Sequence, residues 1–147
     1  MGLVLEPIGT QVVHPIEDGS WRLEGGPRGN RSVTNFREIV WESDSVNART
    51  HWANGTYTEV GGVTEVEVRA MFETDDLALI FMVYVARVDL EKAMAGPGEI
   101  AAINAGRFET SADQYRWLNF TQVVGSGRFD LTTSKMAYDM YVLRPSA

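Results

Sequence analysis

Apolar and polar side chains alternate along most of this chain, and short clusters of glycine, aspartate, asparagine and serine separate the alternating stretches. This period of two, together with many β-branched and aromatic residues, is typical of antiparallel strands. The pattern predicts about eight strands, at residues 3–13, 32–41, 46–52, 56–60, 63–73, 77–88, 115–124 and 136–143.

The stretches between these strands carry turn and helix signals. The segment 15–30 is rich in proline, glycine and aspartate, which predicts a long loop after the first strand. Asn54-Gly55 is typical of a two-residue hairpin turn. One short helix is predicted near residues 89–96, because an aspartate precedes this stretch of good helix formers and a Gly-Pro-Gly sequence follows it.

Two of the predicted strands differ in how their faces are composed. The strand 63–73 has a charged face and an apolar face, and the apolar face consists of Val66, Val68, Ala70 and Phe72. The strand 77–88 is apolar on both faces over most of its length. It is therefore expected either in the centre of the core or partly against a second subunit. The sequence leaves undecided whether the protein forms a homo-oligomer.

Strands in this number, joined mostly by short connections, predict an all-β fold. A closed antiparallel up-and-down barrel is favoured because closure removes the exposed edges of the sheet, with a two-sheet sandwich as the alternative. A barrel of eight strands is just wide enough to hold one small ligand. With 147 residues, the chain is expected to form a single domain over residues 1–147.

Composition and net charge disfavour several kinds of binding partner and cofactor. The 13 Lys and Arg against 20 Asp and Glu give a net charge of −7, which disfavours nucleic acid and anionic membrane surfaces as partners. The chain has no cysteine and 2 histidines, and it carries neither a dinucleotide-binding nor a phosphate-binding loop, so no metal or cofactor is expected. The absence of an N-terminal signal or a transmembrane stretch predicts a cytoplasmic protein.

Three sequence segments carry a resemblance to a known family, and they read Arg107-Phe108-Glu109-Thr110, Tyr115-Arg116-Trp117-Leu118-Asn119 and Val124-Gly125-Ser126-Gly127-Arg128. In these segments the chain resembles the domain of unknown function 3237 family. The resemblance implies a calycin-like antiparallel barrel with a cavity of small-molecule size, and it implies no settled activity. Leu77 replaces a glycine of the family pattern, and Ala53-Asn54-Gly55 replaces Ala-Asp-Trp, which would remove an acid from the cavity.

The first candidate site consists of polar residues on two predicted strands. If the charged face of 63–73 points into the lumen, Glu67 could abstract a proton and Arg69 could stabilise the resulting enolate. The alternative is a surface ion pair on the outside of the barrel. His51 is a candidate general acid or base, and Arg49 on the same face of its strand is a candidate substrate ligand, whereas a histidine on a strand more often serves structure.

The second candidate site is a set of aromatic and amide side chains. Tyr115, Trp117 and Asn119 would share one face of a strand and could line a ligand pocket. Further hydrogen-bond donors to a substrate oxygen are Tyr84, Tyr138 and Tyr141. Ordinary packing inside a barrel explains the same residues equally well.

These observations predict a cofactor-independent enzyme that performs acid/base chemistry in the barrel lumen. Its reaction would be an isomerisation, cyclisation or elimination on a small, largely apolar metabolite that carries a carbonyl group. The alternatives are a non-catalytic carrier that uses the same cavity, and a structural module whose lumen is filled by side chains.

Overall fold

The computed structural model describes residues 1–89, 91, 95, 99–130, 133 and 135–147. In these ranges the chain forms eight antiparallel strands and one 3-10 helix between β6 and β7. The elements are β1 (Leu3–Gly26), β2 (Gly29–Glu42), β3 (Asn47–Val60), β4 (Val63–Thr74), β5 (Leu79–Val88), β6 (Glu99–Glu109), the 3-10 helix (Asp113–Phe120), β7 (Gln122–Asp130) and β8 (Met136–Pro145).

The strands form one closed barrel in which each strand pairs with its neighbours in the sequence. The ring is closed by the ladder between β1 and β8, which runs from the pair Leu3 and Pro145 to the pair Val13 and Met136. The predicted all-β, up-and-down barrel is therefore confirmed, and the two-sheet sandwich is excluded. Within the described ranges, no helix has the length and hydropathy needed to cross a membrane.

The two ends of the barrel differ in structure. One end carries the turns 43–46 and 75–78 and the 3-10 helix, and we call it the helical end. The opposite end carries the turns 27–28 and 61–62, together with the ends of β5 and β7, and we call it the cavity end. The side chains inside the barrel fill the first end and leave space at the second.

Aromatic side chains pack the helical end of the lumen. Trp41 stacks on Phe108 with ring centroids 4.8 Å apart and meets Phe72 edge-on at 5.6 Å. The Trp41 indole N–H donates to the carbonyl oxygen of Ile8 at 2.8 Å, so its polar atom is paired although the side chain is fully buried. Leu118 of the 3-10 helix is also fully buried. This end of the barrel is consequently solid.

The alternation in β4 predicted its inward face correctly. Val66, Val68, Ala70 and Phe72 are all buried, because an antiparallel strand in a barrel presents every second residue to the core. The doubly apolar strand behaves differently on its two faces. Its inward residues are buried, whereas Leu79 and Val85 on the outside of β5 are exposed.

The predicted loop at 15–30 and the predicted hairpin at Asn54-Gly55 are both wrong. β1 continues to Gly26 and pairs with β2 again after register shifts between His14 and Ser20. Asn54 lies in the middle of β3, opposite Asn35 of β2 and Arg69 of β4. Strand pairing overrides the local turn preference in each case, with β2 alone for the end of β1 and with both neighbours for Asn54.

Two further boundaries differ from the prediction. Residues 99–109, which have no marked alternation, form β6, and the predicted strand 115–124 is instead the 3-10 helix followed by the start of β7. Gly106 of β6 has no room for a side chain, because a Cβ at this position would lie 2.6 Å from the Cβ of Tyr84. The helix expected near residues 89–96 lies largely outside the described residues.

Candidate functional site

A cavity of about 380 Å³ occupies the lumen at the cavity end of the barrel. Its wall is mainly apolar, and no charged side chain contributes to it among the described residues. The apolar part of the wall consists of aliphatic and aromatic side chains from several strands, among them Val13, Phe36, Val66, Ala86, Ala102 and Met136. The polar contributions come from hydroxyl groups, namely those of Ser20, Thr34, Tyr57, Thr64, Tyr84 and Tyr138.

The cavity exists because small residues face the lumen at this level. Ala86 and Ala102 line it where larger side chains would fill it. Gly55 also faces inward, and a Cβ at this position would lie 3.0 Å from the Phe36 ring. The inward rows of β5 and β6 thus carry methyl groups at Ala86 and Ala102, and that of β3 carries a hydrogen atom at Gly55.

Three tyrosines, Tyr57, Tyr84 and Tyr138, line the cavity. The rings of Tyr84 and Tyr138 meet edge-on with centroids 5.5 Å apart. Burial raises the pKa of both phenols, and it raises the pKa of Tyr57 to about 12. All three hydroxyls therefore stay protonated at neutral pH and act as neutral hydrogen-bond donors or acceptors.

Two buried amides lie beside these tyrosines. Asn104 is the next inward residue of β6 after Ala102 and is 1% exposed. Neither its Nδ2 nor its Oδ1 forms a hydrogen bond within the described part of the chain. Gln11 is 2% exposed and its Nε2 is also unpaired there. Gln11 is the partner of Tyr138 in the ladder between β1 and β8. The barrel therefore holds a cluster of polar groups with unused hydrogen-bonding capacity.

Glycines of β7 make room for this cluster. A Cβ on Gly125 would lie 2.6 Å from the Asn104 Oδ1 and 2.7 Å from the Met140 Sδ. A Cβ on Gly127 would lie 2.3 Å from a carbon of the Tyr138 ring. Both contacts are shorter than van der Waals distance, so the segment Val124–Arg128 needs glycine at these two inward positions.

Of the two placements that the sequence left open for Glu67 and Arg69, the surface ion pair is the one observed, and the catalytic role that required them in the lumen does not fit. Both side chains lie on the outside of β4, where they form an ion pair at 2.8 Å with exposed fractions of 40% and 57%. The apolar residues of the same strand occupy its inward face. Charged side chains stay in water because burial without compensation is costly.

The predicted polar row on β3 is also outside the barrel. His51 lies at a register shift between Thr50 and Trp52, and its Nε2 is 3.1 Å from the Glu73 carboxylate on the exposed face. Arg49 pairs with Glu38 at 3.1 Å, also in solvent. These contacts lie on the outer surface of the sheet, and none of their side chains lines the cavity.

The remaining predicted ligands lie at the helical end or outside. The Tyr115 hydroxyl donates to the Asp76 Oδ1 at 2.8 Å, and Trp117 packs half-buried against the core. The Asn119 amide accepts from the Thr110 N–H at 2.8 Å and donates to the Thr110 carbonyl at 2.9 Å. Asn119 also borders an open depression on the outer surface. Tyr141 points outward from β8, between two buried neighbours.

Of the predicted catalytic and substrate-binding residues, only Tyr84 lines the cavity. Tyr138, which the sequence analysis named as a further hydrogen-bond donor, lines it as well. Tyr57, Asn104 and Gln11 were missed. The sequence did hold a signal for Asn104, since it stands in an inward row with Ala102 and Phe108 and is the only amide in that row of β6. Among the described residues, no three acidic or histidine side chains are grouped to hold a metal ion.

Comparisons with known proteins agree with this architecture. The family model described as protein of unknown function (DUF3237) matches residues 4–143. A β-barrel-like protein from Acinetobacter baumannii is similar with a TM-score of 0.80 at 25% identity, over 98% of both chains. A conserved protein of unknown function from Rhodopseudomonas palustris has a TM-score of 0.83 at 19% identity, over 98% of this chain and 99% of that one.

A more distant similarity is to an enzyme from Penicillium herquei, with a TM-score of 0.67 at 13% identity over 96% of this chain and 93% of that one. At this identity the similarity shows the fold alone. Comparison with curated proteins gives no match.

Proposed function

This chain belongs to the DUF3237 family, and we propose that it binds a small, neutral and largely apolar molecule inside its barrel. The observation that carries the proposal is the cavity at the cavity end, which is lined by apolar side chains and a few hydroxyls. Ligand pockets generally have this composition, with apolar surface for affinity and a few polar groups for orientation.

The size of the cavity limits the ligand. Its 380 Å³ lies at the lower end of the range of about 300–1,000 Å³ that is usual for ligand pockets. At about 30 Å³ for each water-sized group, the space takes roughly a dozen non-hydrogen atoms. A molecule of one or two rings fits this limit, and a long acyl chain does not.

The polarity of the wall limits the ligand further. Because no charged side chain lines the cavity in the described ranges, an anion or a cation entering it would lose hydration without gaining a counter-ion. The neutral tyrosine hydroxyls instead suit a carbonyl or hydroxyl group. We therefore expect a neutral metabolite, bound without turnover as by a carrier, and the expected cytoplasmic location stays a prediction.

One observation favours a second candidate function, which is acid/base catalysis on the same class of carbonyl compound. Tyr84 and Tyr138 present adjacent phenol groups to the cavity, and such donors stabilise negative charge on a substrate oxygen. With no carboxylate or imidazole in the described lining, water would have to accept the proton. Turnover is tested by NMR, as exchange of the methyl protons of acetylnaphthalene for deuterium, which a catalyst would accelerate over buffer alone.

Binding is tested by titration calorimetry with ethylnaphthalene, an apolar probe of twelve non-hydrogen atoms, about the capacity of the cavity. We expect saturable binding by the wild type and its loss in Ala102→Leu, because the added carbons fill the lumen. Ala101→Leu is the matched control, since its side chain lies on the exposed face of the same strand.

The control variant should bind the probe with unchanged affinity. Thermal unfolding of all three proteins establishes that loss of binding is not loss of fold, and Ala86→Leu repeats the test from β5. Equal binding by the wild type and both cavity-filling variants would place the probe elsewhere and would contradict the proposal.

A further inference from the structure

The polar cluster behind the cavity has features that a cavity for purely apolar ligands does not need. Both amide atoms of Asn104 are buried and unpaired in the described part of the chain. Leaving a buried amide without partners is costly, so native structures rarely retain one without a use for it. Two strand glycines, Gly125 and Gly127, are moreover required to accommodate the cluster.

The Tyr138 hydroxyl lies beside two other polar groups. The ring of Tyr84 meets that of Tyr138 edge-on, and the Asn104 amide lies over Gly125, two residues before Gly127, on which the Tyr138 ring rests. Burial is the main cause that raises the pKa of Tyr138, and the nearby Tyr84 and Asn104 side chains partly offset it, although the amide forms no hydrogen bond within the described part of the chain. Because Tyr138 lines the cavity, its proton can reach a bound molecule when these two side chains donate to its oxygen.

We infer that Tyr138 donates a hydrogen bond to the bound molecule, that Asn104 and Tyr84 hold it in this role, and that the molecule carries a neutral carbonyl oxygen. This inference rests on the proposed binding function and specifies its ligand class. Asn104 is a positioning residue in this arrangement, because it acts through the Tyr138 hydroxyl.

The class of ligand follows from the balance of donors in the cluster. The unpaired Nε2 of Gln11 and Nδ2 of Asn104 add N–H groups beside the tyrosine hydroxyls, against one unpaired acceptor, the Asn104 Oδ1, among the described residues of the cluster. A cluster rich in donors is complementary to an acceptor oxygen. A ketone, quinone or lactone oxygen meets this requirement while remaining uncharged, whereas a carboxylate would need a cation that the described lining does not contain.

The test compares three probes of matched shape: acetylnaphthalene, ethylnaphthalene and naphthoate. We expect the wild type to bind acetylnaphthalene about 10-fold more tightly than ethylnaphthalene, as one added hydrogen bond in a buried site implies. Naphthoate should bind about 100-fold more weakly than acetylnaphthalene at neutral pH. The carbonyl stretching band of bound acetylnaphthalene should shift to lower frequency, because a hydrogen bond weakens the C=O bond.

Three variants assign the effect to its residues. Tyr138→Phe should abolish the 10-fold preference and the infrared shift while leaving the affinity for ethylnaphthalene unchanged. Asn104→Leu, which is nearly isosteric, should reduce both the preference for the carbonyl probe and the infrared shift. It should not lower the unfolding temperature, because it removes an unpaired buried amide. Tyr141→Phe is the matched control on the outer face of β8 and should change neither.

Each outcome separates the inference from the proposed function. Binding of ethylnaphthalene with no preference for the carbonyl probe, or a preference that survives in Tyr138→Phe, would overturn the inference and leave the binding function standing. Failure of both probes to bind would overturn both. If Asn104→Leu unfolds the protein, the amide is structural and its assigned positioning role is overturned, while the Tyr138→Phe result still decides the donor.

Discussion

Leu77 holds a backbone conformation that glycine adopts more easily. Its φ angle is +68°, and its side chain is 76% exposed in the turn between β4 and β5. The left-handed conformation costs a residue with a Cβ about 1–2 kcal/mol, whereas glycine adds about 0.5–1 kcal/mol of entropy to the unfolded chain. Glycine is therefore favoured on balance at this position.

We predict that Leu77→Gly leaves the free energy of unfolding unchanged or raises it by up to about 1 kcal/mol, as measured by chemical denaturation. Asp75→Gly in the same turn is the control, and it should destabilise the protein because Asp75 does not have a positive φ angle. A clear loss of stability in Leu77→Gly would mean that the exposed side chain makes a contact that stabilises the turn.

His14 couples stability to pH. Its Nδ1 is buried and unpaired in the described part of the chain, and burial followed by the charge of Arg37 lowers its pKa from the ordinary 6.5. The unfolded state therefore binds a proton at a higher pH than the folded state. The free energy of unfolding should fall as the pH drops below 6.5, until the lowered pKa of the folded state is passed.

The prediction is that His14→Gln flattens this dependence in urea denaturation curves recorded across the weakly acidic range. His51→Gln is the matched control, because His51 lies exposed on the outer surface. If His14→Gln and the wild type lose stability in parallel, other groups cause the loss.

At the scale of single elements, the 3-10 helix is held in place by side chains that the sequence presented as ligands. Asn119 makes two hydrogen bonds to the backbone of Thr110, and the Tyr115 hydroxyl is bonded to Asp76. The pKa of Asp76 is lowered, chiefly because the Thr74 hydroxyl donates to its carboxylate. These contacts fasten the helix across the end of the barrel, where Leu118 enters the core.

Asn119→Ala should therefore lower the free energy of unfolding by about 1–2 kcal/mol, the sum of two partly exposed hydrogen bonds. It should leave probe binding at the other end of the barrel unchanged. Arg116→Ala on the exposed side of the same helix is the control and should have little effect in thermal unfolding experiments. Loss of binding in Asn119→Ala would show that the two ends of the lumen are coupled.

Whether a strand could be predicted from the sequence depends on the residues that it turns toward the lumen. β4 has regular alternation because large apolar residues fill its inward face, and this periodicity was sufficient to predict both faces. Between the buried Phe108 and Val123 at one end and the cavity at the other, β6 and β7 place glycine, alanine and one amide inward, since Tyr84 and Tyr138 occupy the space. Small residues carry no strong strand signal, so the elements that form the polar site are those that periodicity identifies least well.

For the whole molecule, the strand pattern predicted the closed barrel and the family resemblance implied a cavity, but the sequence did not determine which polar residues face the lumen. The residues with the most reactive side chains, Glu67, His51 and Arg69, form ion pairs in solvent. The lumen instead contains groups that stay neutral, because only these can be buried without a counter-ion. A homo-oligomer stays a prediction that sedimentation velocity can measure.

Because β1 and β8 pair with each other, the first and last strands of the chain are not edges of the sheet, and the ring could begin at any strand. Gly2 and Ser146 hydrogen-bond to each other in both directions, so a short linker could join the two chain ends without disturbing a strand. A circular permutant opened between Gly61 and Gly62, in an exposed turn, would keep every ladder of the barrel. It should unfold in one transition near that of the parent and still bind ethylnaphthalene, which would establish that strand order around the ring, and not order along the chain, specifies this cavity.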